Sequence, residues 1–443
     1  MPDKNIFCNA PWYELQIYWD GSLGFCCQES HKMYPDNLSS KYNVKNMTIQ
    51  QWMDSEPMRA ARMAMFGDKK NSFCQRCYNE ESLSDTSRRL RCNQKSVIFT
   101  RTAFEESYLQ SPGYEKFEST RSANGAYDGM PIDLHIDLGN YCNLTCKMCN
   151  PQASSSIAVQ HLKWDIKSAQ QYVGSDWTRD QSTWDRVIDE LAGISGLRNV
   201  HFMGGETLIT KRFEDFVDSM LARGRTDLNF SFVTNGTTFN EALIKKLLKF
   251  RRIGIEVSIE TLTDHNAYQR QGTDTNEVLK NIDRYLQYCD NDRVTLTVRP
   301  AISLLTIGNY HTLLKYCLDK SLVVKSLICY TPRYYDIAIL PQEVKDLYIK
   351  RYQDFLTSNN LEEIDSSGDF NESDPNQLYR IVKTQVLQCI NALKSPRPED
   401  ADRLLEEMVY WCSRWDKVHK YDAISLYPEL ADTFIKNGYE HRT

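Results

Sequence analysis

From residue 131 the chain reads as alternating apolar and polar positions, interrupted by amphipathic stretches. Strand-like runs occur at 132–138 ("IDLHIDL"), 199–203 ("NVHFM"), 228–234 ("LNFSFVT"), 253–260 ("IGIEVSIE"), 293–300 ("RVTLTVRP") and 323–330 ("VVKSLICY"). Helical spacing separates them, for example at 212–223, 240–250, 275–289 and 309–319. Six strands alternating with helices predict parallel βαβ units. A parallel sheet covered on both faces normally reads as continuously apolar. Here Leu134, Ile136 and Leu138 alternate with Asp133, His135 and Asp137. Ile253, Ile255, Val257 and Ile259 alternate with Gly254, Glu256, Ser258 and Glu260, and Val294, Leu296 and Val298 with Thr295, Thr297 and Arg299. One face is apolar and suited to helices; the other is polar. The pattern predicts a curved, open sheet around a wet lumen, with too few strands for a closed eight-stranded barrel. The expected fold is α/β, a partial (β/α)6 barrel over residues 131–335.

The flanks differ. Residues 1–95 are cysteine-rich, with short strands and turns ("YWDGSLGFCC") and a helix around 48–66, and predict a small α+β domain. Residues 96–130 end in a Ser/Gly/Pro-containing stretch and read as a connector. Residues 336–443 carry helical, charged patterning without a strand signal and predict a helical C-terminal region. The 443 residues exceed one ordinary core. Lys+Arg 53 against Asp+Glu 59 gives a net charge of −6, so no basic surplus points to nucleic acid. The short run "SRRLR" (87–91) reads as a solvated helix face. No apolar run approaches the ~20 residues of a membrane span, and the N-terminal stretch lacks the apolar core of a signal peptide. The expectation is a cytoplasmic protein without a membrane partner.

Fourteen cysteines change this picture. Cys289, Cys317, Cys329, Cys389 and Cys412 are scattered through apolar or helical stretches and read as buried small hydrophobes. The other nine cluster at Cys8, Cys26, Cys27, Cys74, Cys77, Cys92, Cys142, Cys146 and Cys149. Clustered thiols in a reducing compartment read as metal or iron–sulfur ligands. "CNLTCKMC" (142–149) places Cys142, Cys146 and Cys149 at C-x3-C-x2-C, directly after the first barrel strand, at the strand end where α/β active sites lie. Four thiolates would saturate a 4Fe-4S cluster or a zinc; three leave one position open. The alternative is a zinc knuckle whose fourth ligand lies elsewhere, such as His135.

This loop resembles the cysteine signature of radical S-adenosylmethionine (SAM) enzymes, including the Asn after the first cysteine and the Met before the last. Further segments match that family in order: "MGGET" (203–207), "TNGT" (234–237), "VSIET" (257–261) and "YQRQG" (268–272), the first three each ending a predicted strand. The resemblance implies a 4Fe-4S cluster on Cys142, Cys146 and Cys149, whose open iron is chelated by SAM. It implies Gly204, Gly205 and Glu206 at the SAM amino group, Ser258 and Asn235 as hydrogen-bonding groups, and Arg270 at the SAM carboxylate. Physically, the glycines allow close backbone approach and Glu206 can accept a charge-assisted hydrogen bond. The implied activity is reductive cleavage of SAM to a 5′-deoxyadenosyl radical that abstracts a substrate hydrogen, with an electron donor such as flavodoxin or ferredoxin.

In the N-terminal segment, Cys8 and Cys26 frame C-x12-G-x4-C, and "CQRC" supplies Cys74 and Cys77. Four thiolates would close one 4Fe-4S site, or a four-cysteine zinc site. The segment resembles the SPASM/twitch auxiliary-cluster domains of radical SAM enzymes, although those usually follow the barrel rather than precede it. The cysteine count fits twitch, with one auxiliary cluster. Cys27 could replace Cys26, although the Gly spacing favours Cys26; Cys92 reads as a lone thiol. The tail "DKVHKYDAISLYPEL" (416–430) resembles uncharacterised twitch-type radical SAM proteins, some encoded by phages. Relatives of this kind act mainly on peptide or protein side chains, and others on polar small molecules. The polar lumen positions Asp133, His135, Glu256, Glu260, Thr297 and Arg299 suit a polar substrate, but the sequence names no catalytic residue. The rival of another class is a catalytically inactive scaffold holding zinc or iron–sulfur.

Overall fold

A computed structural model describes residues 2–30, 32–83, 87–96, 104–290, 292–365 and 376–439. The start of the expected connector, 97–103, lies outside them. The chain forms two compact units: residues 1–141, 161–232 and 240–253, and residues 142–160, 233–239 and 254–443.

The first unit is built on β1 (Glu14–Ile17), β2 (Leu23–Gly24), β3 (Asp133–Asp137), β4 (Asn199–Met203) and β5 (Asn229–Thr234, whose last two residues count with the second unit), in the order β2-β1-β3-β4-β5. β1 and β2 form an antiparallel hairpin; β1, β3, β4 and β5 pair in parallel. The alternation read from the sequence is realised. Leu15, Ile17, Leu134, Ile136, Val200, Phe202, Phe230 and Phe232 are buried on one face. There Phe213 and Phe216 of the helix Lys211–Ala222 meet Phe202 at 4.7 and 4.9 Å between ring centroids. The other face carries polar rows fixed by register: Glu14, Asp133, Asn199 and Asn229, then Gln16, His135, His201 and Ser231.

Two features depart from the sequence reading. β1, from the cysteine-rich segment, is a full member of this parallel sheet. The stretch expected to be a connector contains helices Phe104–Leu109 and Tyr114–Ser122. Their Tyr108 and Phe117 stack edge-on against Phe7 at 5.3 and 5.2 Å. Aromatic burial against distant residues outweighs the local Ser/Gly/Pro signal.

The second unit holds most of β6 (Arg252–Val257), then β7 (Val294–Val298) and β9 (Val323–Val324) in that order, with β8 (Ala301–Ile302) paired in parallel to β10 (Leu327–Ile328). The single run expected at 323–330 is therefore two short strands. On the polar side, the Arg299 guanidinium meets Glu256 at 3.0 Å. C-terminal helices follow at Gln342–Ser358, Gln377–Leu393 and Ala401–His419. The α/β class and the helical C-terminal region are as expected. No helix among the described residues is long and apolar enough to cross a membrane.

Candidate functional site

Within the second unit, the loop 142–149 is held by its own backbone and by the segment 269–271. The amide of Cys149 donates to the Cys146 carbonyl at 3.0 Å. The amides of Thr145 and Lys147 donate to the carbonyls of Gln271 and Gln269 at 3.0 and 2.8 Å. The Ser154 and Ser156 hydroxyls donate to the carbonyls of Leu144 and Cys142 at 2.8 and 2.6 Å. Short polar side chains so close a turn that no helix or strand stabilises.

The other predicted residues of this unit gather round that loop. Asn235 donates to Asn143 Oδ1 at 2.9 Å, while its own Oδ1 accepts from the Thr237 amide and hydroxyl at 3.0 and 2.7 Å. Asn143 follows the first cysteine, so the "TNGT" turn is tied to the loop. Arg270 makes a bidentate pair with Glu260, at 2.6 and 2.7 Å, and its remaining terminal nitrogen lies 3.9 Å from Cys146 Sγ. Glu260 is fully buried. The guanidinium expected at a SAM carboxylate is thus engaged by Glu260 and faces a cysteine of the loop. Ser258 is buried.

In the first unit, β4 ends at Met203 and the chain turns through Gly204 (φ +80°) and Gly205 (φ +57°). A Cβ on Gly204 would sit 2.8 Å from Asp137 Cβ, and one on Gly205 would sit 2.3 Å from the Tyr141 carbonyl oxygen. Only glycine allows this turn to lie against residues 137–141, which lead directly into Cys142. Glu206 is 1% exposed; its amide donates to the Tyr141 carbonyl at 2.8 Å and its Oε1 accepts from the Leu208 amide at 3.1 Å. The carboxylate expected at an ammonium thus also caps the short helix Thr207–Ile209.

The N-terminal cysteines lie in the first unit. The Ser30 amide donates to the Phe73 carbonyl at 2.8 Å, and its hydroxyl accepts from the Arg76 amide at 3.0 Å, joining the Cys26 turn to the helix of Cys74 and Cys77. Burial pushes the Cys77 thiol up to about 12 and raises Cys74 as well. Cys26 and Cys27 differ in burial: Cys26 is buried and Cys27 is half-buried. Cys92, read as a lone thiol, is not alone. It neighbours Cys8 and donates to Glu14 Oε1 at 3.1 Å. Three hydrogen bonds hold it there: Asn9 to Asn93 and to the Cys92 carbonyl at 3.1 and 2.7 Å, and Asn93 to the Phe7 carbonyl at 2.9 Å. These partners lie more than eighty residues apart in sequence, and no local signal could have joined them.

Two observations test whether iron–sulfur groups fit. Burial raises the Cys146 and Cys149 thiols, with Arg270 opposing; a bound cation removes that penalty by taking the thiolate. Gln271, whose carbonyl anchors the loop, has both side-chain amide atoms buried without a partner. Among the described residues no three His, Cys, Asp or Glu side chains form a group that could hold a single metal ion. A cluster, whose cysteines each bind a different iron, needs no such convergence. His135, the fourth zinc ligand of the knuckle reading, is buried and its Nε2 contacts Arg88 at 2.8 Å.

The three-thiol loop behind a parallel strand defines an iron–sulfur protein of the α/β class. Comparison with known proteins names the family. The radical SAM superfamily matches residues 136–300, and an iron–sulfur cluster-binding (SPASM) domain matches residues 8–78. The chain thus carries a radical SAM domain, preceded by a SPASM domain. SAM and 4Fe-4S clusters are the cofactors of these domains. A GTP 3′,8-cyclase of Corynebacterium glutamicum is 26% identical over 137 residues, covering 29% of this chain and 31% of the cyclase. The chain thus spans about a third of the length of the curated relatives it matches. Among solved structures, Streptococcus suis SuiB bound to S-adenosylmethionine is 14% identical over 62% of this chain and 57% of that one, with a TM-score of 0.34. Native anSMEcpe with bound AdoMet is 21% identical over 52% of this chain and 62% of that one, with a TM-score of 0.38.

Proposed function

We propose that this protein starts radical chemistry on a peptide or protein side chain, with SAM bound at the Cys142–Cys146–Cys149 loop and a second cluster on Cys8, Cys26, Cys74 and Cys77. The observation that carries the reading is that each of the two matched domains contains one of the two cysteine sets. When bound, the cofactors supply a one-electron cleavage of SAM and a 5′-deoxyadenosyl radical that takes a substrate hydrogen atom. The chain's own residues orient and shield. Gly204 and Gly205 expose backbone to the SAM amino group, Glu206 supplies a carboxylate, and Ser258 offers a hydroxyl. Arg270, held by Glu260, faces the cluster with positive charge. Cys26, the more deeply buried of the adjacent pair, completes the auxiliary set. A fully ligated auxiliary cluster has no open iron, so its role is electron transfer or support.

The second reading is a polar small molecule as substrate. The partial likeness to GTP 3′,8-cyclase favours it, as do the polar rows of the first unit's sheet. An electron donor of the flavodoxin or ferredoxin type and a cytoplasmic location belong to both readings. The test begins with iron in anaerobically prepared protein: about eight per chain in the parent and about four in a Cys142/Cys146/Cys149→Ala variant. The parent, given SAM and reductant, should release 5′-deoxyadenosine, and the variant none. Zinc without iron after reconstitution would leave only the scaffold. Deuterium passing to 5′-deoxyadenosine from labelled peptides would support the first reading; transfer only from labelled small molecules would support the second.

A further inference from the structure

Lys147 lies between the second and third cysteines of the loop, and its side chain is fully buried. Its ammonium is 3.1 Å from Asp416 Oδ1 and 4.1 Å from the centroid of the Tyr268 ring. Asp416 belongs to the helix Ala401–His419 and is 4% exposed. Its Oδ2 accepts from the hydroxyls of Tyr268 and Tyr439, at 3.1 and 2.7 Å. Three residues on, His419 Nε2 lies 3.0 Å from the Thr145 hydroxyl. The C-terminal helix therefore grips the loop at both residues flanking Cys146. A buried ammonium needs a paired carboxylate, and that carboxylate needs its remaining lone pairs satisfied. Lys147, Tyr268 and Tyr439 together meet both requirements. This is more than helix packing, because the contact is ionic and specific to one residue of the loop.

We propose that Asp416 is a positioning residue for the SAM-binding cluster: through Lys147 it fixes the arc that carries Cys146 and Cys149 and sets the net charge that the cluster senses. The inference rests on the reading that Cys142, Cys146 and Cys149 hold a cluster. Cluster potentials respond to nearby charge and to hydrogen bonding. A paired Lys147 contributes a dipole, whereas an unpaired one contributes a full positive charge. Neutralising Asp416 should therefore make the cluster easier to reduce, and neutralising Lys147 should make it harder.

The test is a redox titration of the holoprotein, followed by the electron paramagnetic resonance signal that responds to added SAM. It compares the parent with Asp416→Asn, Lys147→Met and Lys147→Arg. The expected result is a potential raised in Asp416→Asn, lowered in Lys147→Met and close to the parent in Lys147→Arg, with parental iron in Asp416→Asn and Lys147→Arg. Simple loosening of the loop would move Asp416→Asn and Lys147→Met in one direction, and that result overturns the proposal. So do unmoved potentials at full iron content, or loss of iron from Lys147→Arg. If a Cys142/Cys146/Cys149→Ala variant keeps the parent's iron, the underlying cluster reading fails instead, and the two failures are told apart by that control.

Discussion

The Arg270–Glu260 pair allows a quantitative test of what holds the cysteine loop. Glu260 is fully buried, and its carboxylate accepts both Arg270 nitrogens and the Ala301 amide at 3.1 Å. Replacing Arg270 with Met leaves that carboxylate buried with one backbone donor. Breaking a buried pair on one side costs about 3–5 kcal/mol. For a unit of roughly this size each kcal/mol lowers the melting temperature by about 2–4 °C, so the loss is about 6–20 °C. The double variant Glu260→Met/Arg270→Met removes both charges and should recover most of that loss, because two apolar side chains of similar volume need no partner. The assay is differential scanning calorimetry of anaerobic protein, with iron measured on the same samples. A single variant that melts within a degree or two of the parent, or a double variant no better than the single, would refute the argument. Recovered stability with lost iron in the double variant would assign the pair to the cluster rather than to the fold.

Other outcomes follow from the same geometry. Gly205→Ala forces a Cβ to 2.3 Å from the Tyr141 carbonyl at a φ of +57°. The left-handed backbone alone costs about 1–2 kcal/mol, so the melting temperature should fall by about 2–8 °C; an unchanged melting temperature would refute the close approach. His311 is pushed down to about 4 by burial, with Arg351 adding to the effect. Above about pH 6.5 it is neutral in both folded and unfolded chains; as pH falls toward 4 the unfolded chain takes a proton that the folded one refuses. Stability should therefore fall from pH 7 to pH 5 by about 1–2 kcal/mol after discounting for partial exposure. His311→Gln should flatten that slope in thermal melts, and parallel slopes would exclude the assignment.

Much of this was legible because strands and turns are local. The alternation at 132–138 and 253–260 marked β3 and β6, and the glycines of "MGGET" marked a turn that no side chain could enter. The remainder was hidden because its partners are distant. Cys92 reaches Cys8 through Asn9 and Asn93, and Lys147 meets Asp416 across 269 positions. Arg270 was expected to meet a ligand, and nothing in "YQRQG" indicates that Glu260, ten residues earlier, holds it. Pairing across such distances depends on topology, and periodicity carries no record of it.

The parallel pairing of β1 with β3 has a consequence for how the chain can be made. Strand 14–17 leaves the ribosome well over a hundred residues before its partner at 133–137. Until then only the two-residue β2 pairs with it, and Leu15 and Ile17 have no sheet to pack in. An unpaired apolar edge is a template for aggregation. The cysteine-rich segment is thus sewn into the barrel sheet rather than appended to it, and residues 1–95 produced alone should collect in inclusion bodies, whereas residues 1–253 retain β1 to β5 with the helices that cover them.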